Sequence, residues 1–178
     1  MKNVSSLAAI AVCCLLLSTA SYAQVTPSAS TYRAENFSIL YPLNWTLNTE
    51  GNYGTKFFLF SPLTSKDDLF RENINLIIED LSAKQMTLAE YTTLSKQQIK
   101  NGMPDAEFLE SNTLQSQGIN YQRIIYTATQ SQYKLQFEQW YFIVKGQAYI
   151  LTFSAEAVQF KTYQKEAESL LASFKIVG

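Results

Sequence analysis

KLQFEQWYFIVKGQAYILTFS, residues 134–154, decides the fold. From Lys134 to Lys145 the side chains alternate with a period of two. Leu135, Phe137, Tyr141 and Ile143 share one face, and Trp140, Phe142 and Val144 share the other. A strand that is apolar on both faces is covered on both faces. Lys145-Gly146-Gln147 then turns the chain, and Ala148 to Ser154 returns as a second apolar strand. Two long strands joined so tightly run antiparallel.

The same pattern extends outward. Ile119 to Thr129 is a further arm, reached through a Gln117-Gly118 turn from a polar stretch, Ala106 to Ser116, that suits a sheet edge. Towards the N-terminus, FSILY (37–41), Trp45-Thr46-Leu47, KFFLFS (56–61) and NINLIIEDL (73–81) read as strands, broken by Pro42, EGNYG (50–54) and Pro62. Thr87-Leu88-Ala89-Glu90 is a capping box, with Met86 and Tyr91 placed for a hydrophobic staple. The helix it opens carries Leu88, Tyr91, Leu94 and Ile99 and is expected to end before Gly102 and Pro104. A second helix spans about Val158 to Ala172, with Phe160, Tyr163, Ala167, Leu170 and Leu171 at helical spacing, and a short strand follows at 174–177. The expected fold class is α+β: an antiparallel β-sheet flanked by helices, an α/β/α sandwich.

The N-terminus reads differently. Lys2, an apolar run from Leu7 to Leu17 and Ser21-Tyr22-Ala23 form a secretory signal peptide with cleavage expected after Ala23. The run is too short for a bilayer span, which takes about 20 residues. Residues 24–32, QVTPSASTY, read as a flexible tether, and 33–178 as one domain. Cys13 and Cys14 fall inside the leader, so the mature chain has no thiol and no disulfide. Histidine is absent altogether. These two gaps remove Ser-His-Asp triads, Cys nucleophiles and His- or thiolate-bound zinc, so no catalytic residue and no cofactor are expected. Charged residues make up 16% without a basic cluster, which argues against nucleic acid as partner. Tyr and Phe number 11 each and supply the core of a β-rich domain.

One charged stretch stands out: LFSPLTSKDDLFRENINLIIEDLS, residues 59–82. It supports four readings. The first is a plain connection, with Asp67 and Asp68 setting a turn and Arg71 paired to Asp67, Asp68 or Glu72. The second is a calcium or manganese site from Asp67, Asp68, Glu72 and Asn73, with Arg71 opposing the ion. The third is a partner-docking surface built on Phe70 and Arg71. The fourth is a catalytic acid pair, which needs two carboxylates in contrasting environments. Glu79 and Asp80 point to opposite faces and read as a solvated strand end. Trp45, Tyr53, Tyr121, Tyr126, Trp140 and Tyr141 could form a ligand cage or simply fill the core.

ENFSILYPLNW, the stretch 59–82, TLAEY and GQAYILTFSAEAVQFKTYQKEAESLLASFKI together resemble the PsbP-like family, over roughly residues 33–176. The resemblance implies an antiparallel sheet flanked by helices. It also implies the role of the photosynthetic members, extrinsic subunits that support the oxygen-evolving centre of photosystem II and help retain calcium and chloride. Metal binding in that group leans partly on histidines, which this chain lacks. The expectation is therefore an exported, non-enzymatic accessory domain that docks on a protein or envelope partner. The alternatives are a small-ligand or lipid-binding module, or a photosystem-type extrinsic subunit that binds calcium.

Overall fold

The strand pair at 134–154 lies at the centre of the molecule. The structure, a computed structural model, describes residues 29–177. The expected signal peptide, residues 1–23, and residues 24–28 of the expected tether lie outside the described residues. In chain order the elements are β1 (Ala29–Arg33), β2 (Phe37–Pro42), β3 (Thr46–Asn48), β4 (Phe57–Phe60), β5 (Asn73–Asp80), α1 (Leu88–Gly102), β6 (Glu107–Ser116), β7 (Ile119–Gln130), β8 (Tyr133–Val144), β9 (Gln147–Glu156), α2 (Phe160–Ser173) and β10 (Lys175–Ile176). Seven strands form one antiparallel sheet in the order β3-β4-β5-β9-β8-β7-β6. The fold class is α+β, as the alternation and the two helical repeats predict.

Two of the three tight turns that set the register of the β6–β9 meander share one geometry. Gln117-Gly118 and Lys145-Gly146 both place two successive residues at positive φ, 50° and 81° in the first, 50° and 75° in the second. That is the type I′ geometry whose twist matches the flanking strands, and glycine at the second position accepts it without strain.

Each face of β8 is buried as its alternation requires. On one side Trp140 and Phe142 join Leu151, Phe153, Phe37, Ile39 and the α2 residues Ala167, Leu170 and Leu171 in the larger core. On the other, Leu135, Phe137 and Tyr141 join Ile150, Tyr126 and Tyr91 of α1. The capping box of α1 forms: the Glu90 N–H donates to Thr87 Oγ1 at 3.2 Å, and the Thr87 N–H donates to a Glu90 carboxylate oxygen at 2.8 Å.

Four expectations need correction. Residues 29–32 are not tether. They belong to β1, which lies along β2 with Tyr32 opposite Ile39. A second sheet exists, ordered β1-β2-β10, packed beside α2 on the larger core. Gly102 ends α1 from within, and Met103 is the C-cap, its N–H bonded to Ile99 O at 2.7 Å. Pro104 accounts for this, because the residue before a proline is driven out of helical geometry, and Met103 has φ −135° and ψ 84°. Finally, α2 starts at Phe160 rather than Val158, after a turn in which the Gln159 N–H bonds Glu156 O. Among the described residues no helix is long and apolar enough to cross a membrane.

Candidate functional site

The charged stretch becomes a loop, residues 61–72, whose neck is closed by the Ser61 N–H bonded to Glu72 O at 2.8 Å. Arg71 does not pair with a carboxylate. Its Nε donates to Ser61 O at 2.6 Å, its Nη2 donates to Thr46 Oγ1 at 3.0 Å and to Phe60 O at 3.3 Å, and the guanidinium lies 5.2 Å from the Phe60 ring centre. The reason is reach: the Phe60 and Ser61 carbonyls, at and just past the C-terminal end of β4, lie beside it, and a planar guanidinium donates to both at once. Asp68 folds the loop tip inward. One of its oxygens accepts from the Thr64 N–H and Oγ1, each at 2.9 Å, and the other from the Phe70 N–H at 3.3 Å. The Thr64 bonds hold its carboxyl below the ordinary range. Asp67 stays exposed. Phe70 is half-buried against Tyr133, ring centres 5.3 Å apart, while Leu63 and Leu69 stand 52% and 77% exposed.

Glu72 is the exception to a solvated loop. It is 2% exposed and accepts a hydrogen bond from Ser61 Oγ at 3.2 Å. Burial pushes its carboxyl up, and the charges of Asp68 and Glu156 add to that; Tyr163 feels the Glu72 charge in turn. A carboxylate harder to ionise in the folded chain binds its proton more tightly there than in the unfolded chain. Below the ordinary glutamate range both states are protonated and Glu72 costs nothing. As pH rises out of that range the unfolded chain releases the proton first, and stability falls. Glu72→Gln keeps the acceptor for Ser61 without the charge. It is expected to stabilise the protein at pH 7 by about 0.5–2 kcal/mol, with the gain shrinking towards pH 4, in urea unfolding at the two pH values.

The loop borders a groove on the α1 face of the large sheet. Helix α1 lies chiefly over β7 and β8, reaches β5 through the Tyr91 hydroxyl bonded to Glu79 at 2.8 Å, and contributes no residue to the groove lining. Two neighbouring rungs of the sheet floor the gap. One runs Asn73–Ser154–Phe137–Tyr126 and the next runs Phe58–Asn75–Thr152–Gln139. Phe70, Tyr53 and Met103 form the rim, and the cavity measures about 470 Å³. Gln139 Nε2 donates to Thr152 Oγ1 at 3.1 Å, and the Tyr141 hydroxyl donates to the Gln139 carbonyl.

Comparison with known proteins places this architecture. The family described as PsbP-like protein matches residues 18–176, nearly the whole chain. The chain belongs to the PsbP-like family. No curated protein matches its sequence. Among solved structures, the PsbP-like fold is shared with cyanobacterial PsbP (CyanoP) from Synechocystis sp. PCC 6803, at 17% identity and TM-score 0.64, covering 89% of this chain and 98% of that one. It is also shared with LpqN of Mycobacterium tuberculosis, described as involved in cell envelope biogenesis, at 13% identity and TM-score 0.60, covering 87% and 88%. A Pseudomonas aeruginosa protein, PA94, described as of unknown function and a putative regulator, matches at 11% identity and TM-score 0.59, covering 82% and 94%. At such identities the likeness is one of fold.

In this PsbP-like chain the residues singled out from the sequence separate. Phe70 reaches the groove, Arg71 braces the loop, Asp68 is engaged by Thr64, and Glu72 turns inward to Ser61. Among the described residues no three acidic, cysteine or histidine side chains gather as a metal-holding group, so Asp67, Asp68 and Glu72 do not converge. Of the six cage aromatics, Trp45, Tyr121, Tyr126, Trp140 and Tyr141 are buried core, whereas Tyr53 is 93% exposed at the groove rim. Burial pushes the Tyr126 and Tyr141 phenols up, which keeps them neutral packing groups. Sequence reasoning missed the amide and hydroxyl floor. Its signal was the parity of Asn73, Asn75, Gln139, Thr152 and Ser154, polar residues at inward positions of central strands.

Proposed function

We propose that the protein is an exported accessory domain, without catalysis of its own, that docks on a protein or envelope partner through loop 61–72. The observation that carries this reading is the build of the loop. Arg71 and Asp68 hold it in one shape, and it presents Leu63 and Leu69 to solvent. Apolar side chains on a pre-ordered loop lower the entropic cost of association, and they serve no folding purpose where they stand. The missing histidine and mature cysteine, the leader sequence, and a fold shared with an envelope-biogenesis protein support the same view.

A photo-crosslinking residue at Leu63, introduced in cells of the source organism, is expected to give a discrete adduct. Leu69→Asp is expected to abolish that adduct while shifting stability by no more than about 0.5 kcal/mol, since the site is exposed. A protein that stays monomeric and uncrosslinked removes the docking reading. A second reading, a small-ligand module, is favoured by one feature, the uncovered groove beside the loop.

A further inference from the structure

The groove has a chemistry of its own. None of the residues that line it is charged. A phosphate, sulfate or carboxylate ligand taken into such a site would lose its hydration without gaining a counter-charge, which is prohibitive. The floor is nevertheless polar. Asn75 offers both amide donors and a carbonyl acceptor, Asn73 and Gln139 each keep one amide N–H beyond those given to Arg71 O and Thr152 Oγ1, and Thr152 and Ser154 offer hydroxyls. Ser154 is 7% exposed and lines the groove, and among the described residues neither it nor Asn75 has a side-chain hydrogen-bond partner. An acyl chain laid over them would leave each unpaired, at about 1–3 kcal/mol apiece.

The walls are aromatic: Phe58 and Phe70 beside the floor, Tyr53 at the rim. A ligand that suits both surfaces presents hydroxyls at its edges and C–H groups on its faces. An extended peptide is the weaker fit. Peptides bind sheets by adding to an edge, but the floor strands β5, β9 and β8 are paired on both sides and have no main-chain groups to offer. At about 470 Å³ the cavity falls within the roughly 300–1,000 Å³ of small-molecule sites.

We propose that the groove binds a neutral, hydroxyl-rich saccharide, with sugar hydroxyls on Asn75, Gln139 and Ser154 and a pyranose face against Phe70 or Tyr53. This deepens the second reading given above, the small-ligand module. It is tested by titrating nitrogen-15-labelled protein with maltotriose, cellotriose and chitotriose, and separately with sialyllactose, tri-alanine and decanoate. At least one neutral trisaccharide is expected to shift the backbone amides of Asn73, Asn75, Thr152 and Ser154 saturably. Asn75→Ala and Tyr53→Ala are each expected to weaken that binding about tenfold, near 1.4 kcal/mol. Tyr53 touches no core, so its variant folds whatever happens at Asn75.

No shift with any neutral trisaccharide, shifts that ignore both variants, or tri-alanine or decanoate perturbing these amides in place of sugar would each overturn the proposal. The last of these outcomes removes the saccharide but retains a small-ligand module. Silence from all six probes removes the module as well. Neither outcome touches the crosslink at Leu63.

Discussion

Glu138→Ala is expected to lower the unfolding free energy by about 3–5 kcal/mol. Glu138 is 0% exposed and sits on the α2 face of β8. It accepts from Arg123 Nε at 2.7 Å and Nη2 at 3.3 Å, and from Trp140 Nε1 at 2.7 Å. Arg123 reaches Glu110 on β6 at 2.6 Å and Glu168 on α2 at 3.0 Å as well, so one guanidinium ties three elements to β7. Removing the buried carboxylate leaves the guanidinium with only half-exposed partners and strands the Trp140 indole N–H. Leaving buried polar groups unpaired is what makes such deletions expensive.

Two controls separate this from generic damage. Glu110→Ala removes an exposed partner and is expected to cost about 1 kcal/mol or less. The double variant Arg123→Met/Glu138→Leu removes both charges and is expected to recover much of the loss, because apolar replacements of a buried pair are often neutral or better. Urea unfolding of the four proteins checks this. A Glu138→Ala loss no larger than that of Glu110→Ala would mean that water reaches the pair.

Arg123 and Glu138 show where sequence reading stops. The meander was legible because Leu135 to Val144 repeats with a period that only a doubly covered strand explains. Glu138 shares the parity of Trp140 and Phe142, and that signal demanded a buried partner. The partner lies 15 residues away on the neighbouring strand, and only the register that sets Ile125 opposite Glu138 names it. The same limit applies to loop 61–72. Turn chemistry indicated a loop, but the direction of Arg71 depends on where the fold sets the Phe60 and Ser61 carbonyls, and Glu72 turns inward because β5 begins there. β1 was illegible for a different reason. ASTYR has one large apolar residue, and its pairing comes from the open edge of β2 rather than from its own propensity. The groove floor could be placed on inward positions from alternation alone, but that α1 stops short of covering it is a property of packing.

Phe57→Ala is expected to cost about 3–5 kcal/mol, the range for emptying a fully buried phenylalanine site. Its location gives the loss a particular distribution. Phe57 is 0% exposed on β4, opposite Leu76, and its ring centre lies 5.9 Å from both Tyr32 and Phe37. Those two rings belong to β1 and to β2, and Phe37 in turn meets Phe174, 5.8 Å away, just before β10. Phe57 is therefore the ring of the large sheet that meets both β1 and β2, while Phe174 meets Phe142 and Tyr149 of the same sheet at 6.1 and 6.2 Å on the β10 side. The small sheet is also tied to α2, through packing against β2 and the Leu40 N–H bonded to Ser173 Oγ at 3.0 Å. Hence β2 keeps a second anchor, while β1 depends on Tyr32 and on β2 itself. Hydrogen exchange in Phe57→Ala is expected to accelerate most in β1, next in β2 and β10, and least in β8 and β9, whose amides open only on global unfolding. An exchange profile that rises evenly across all strands would show that the two sheets unfold as one unit and that Phe57 contributes only its volume to the common core.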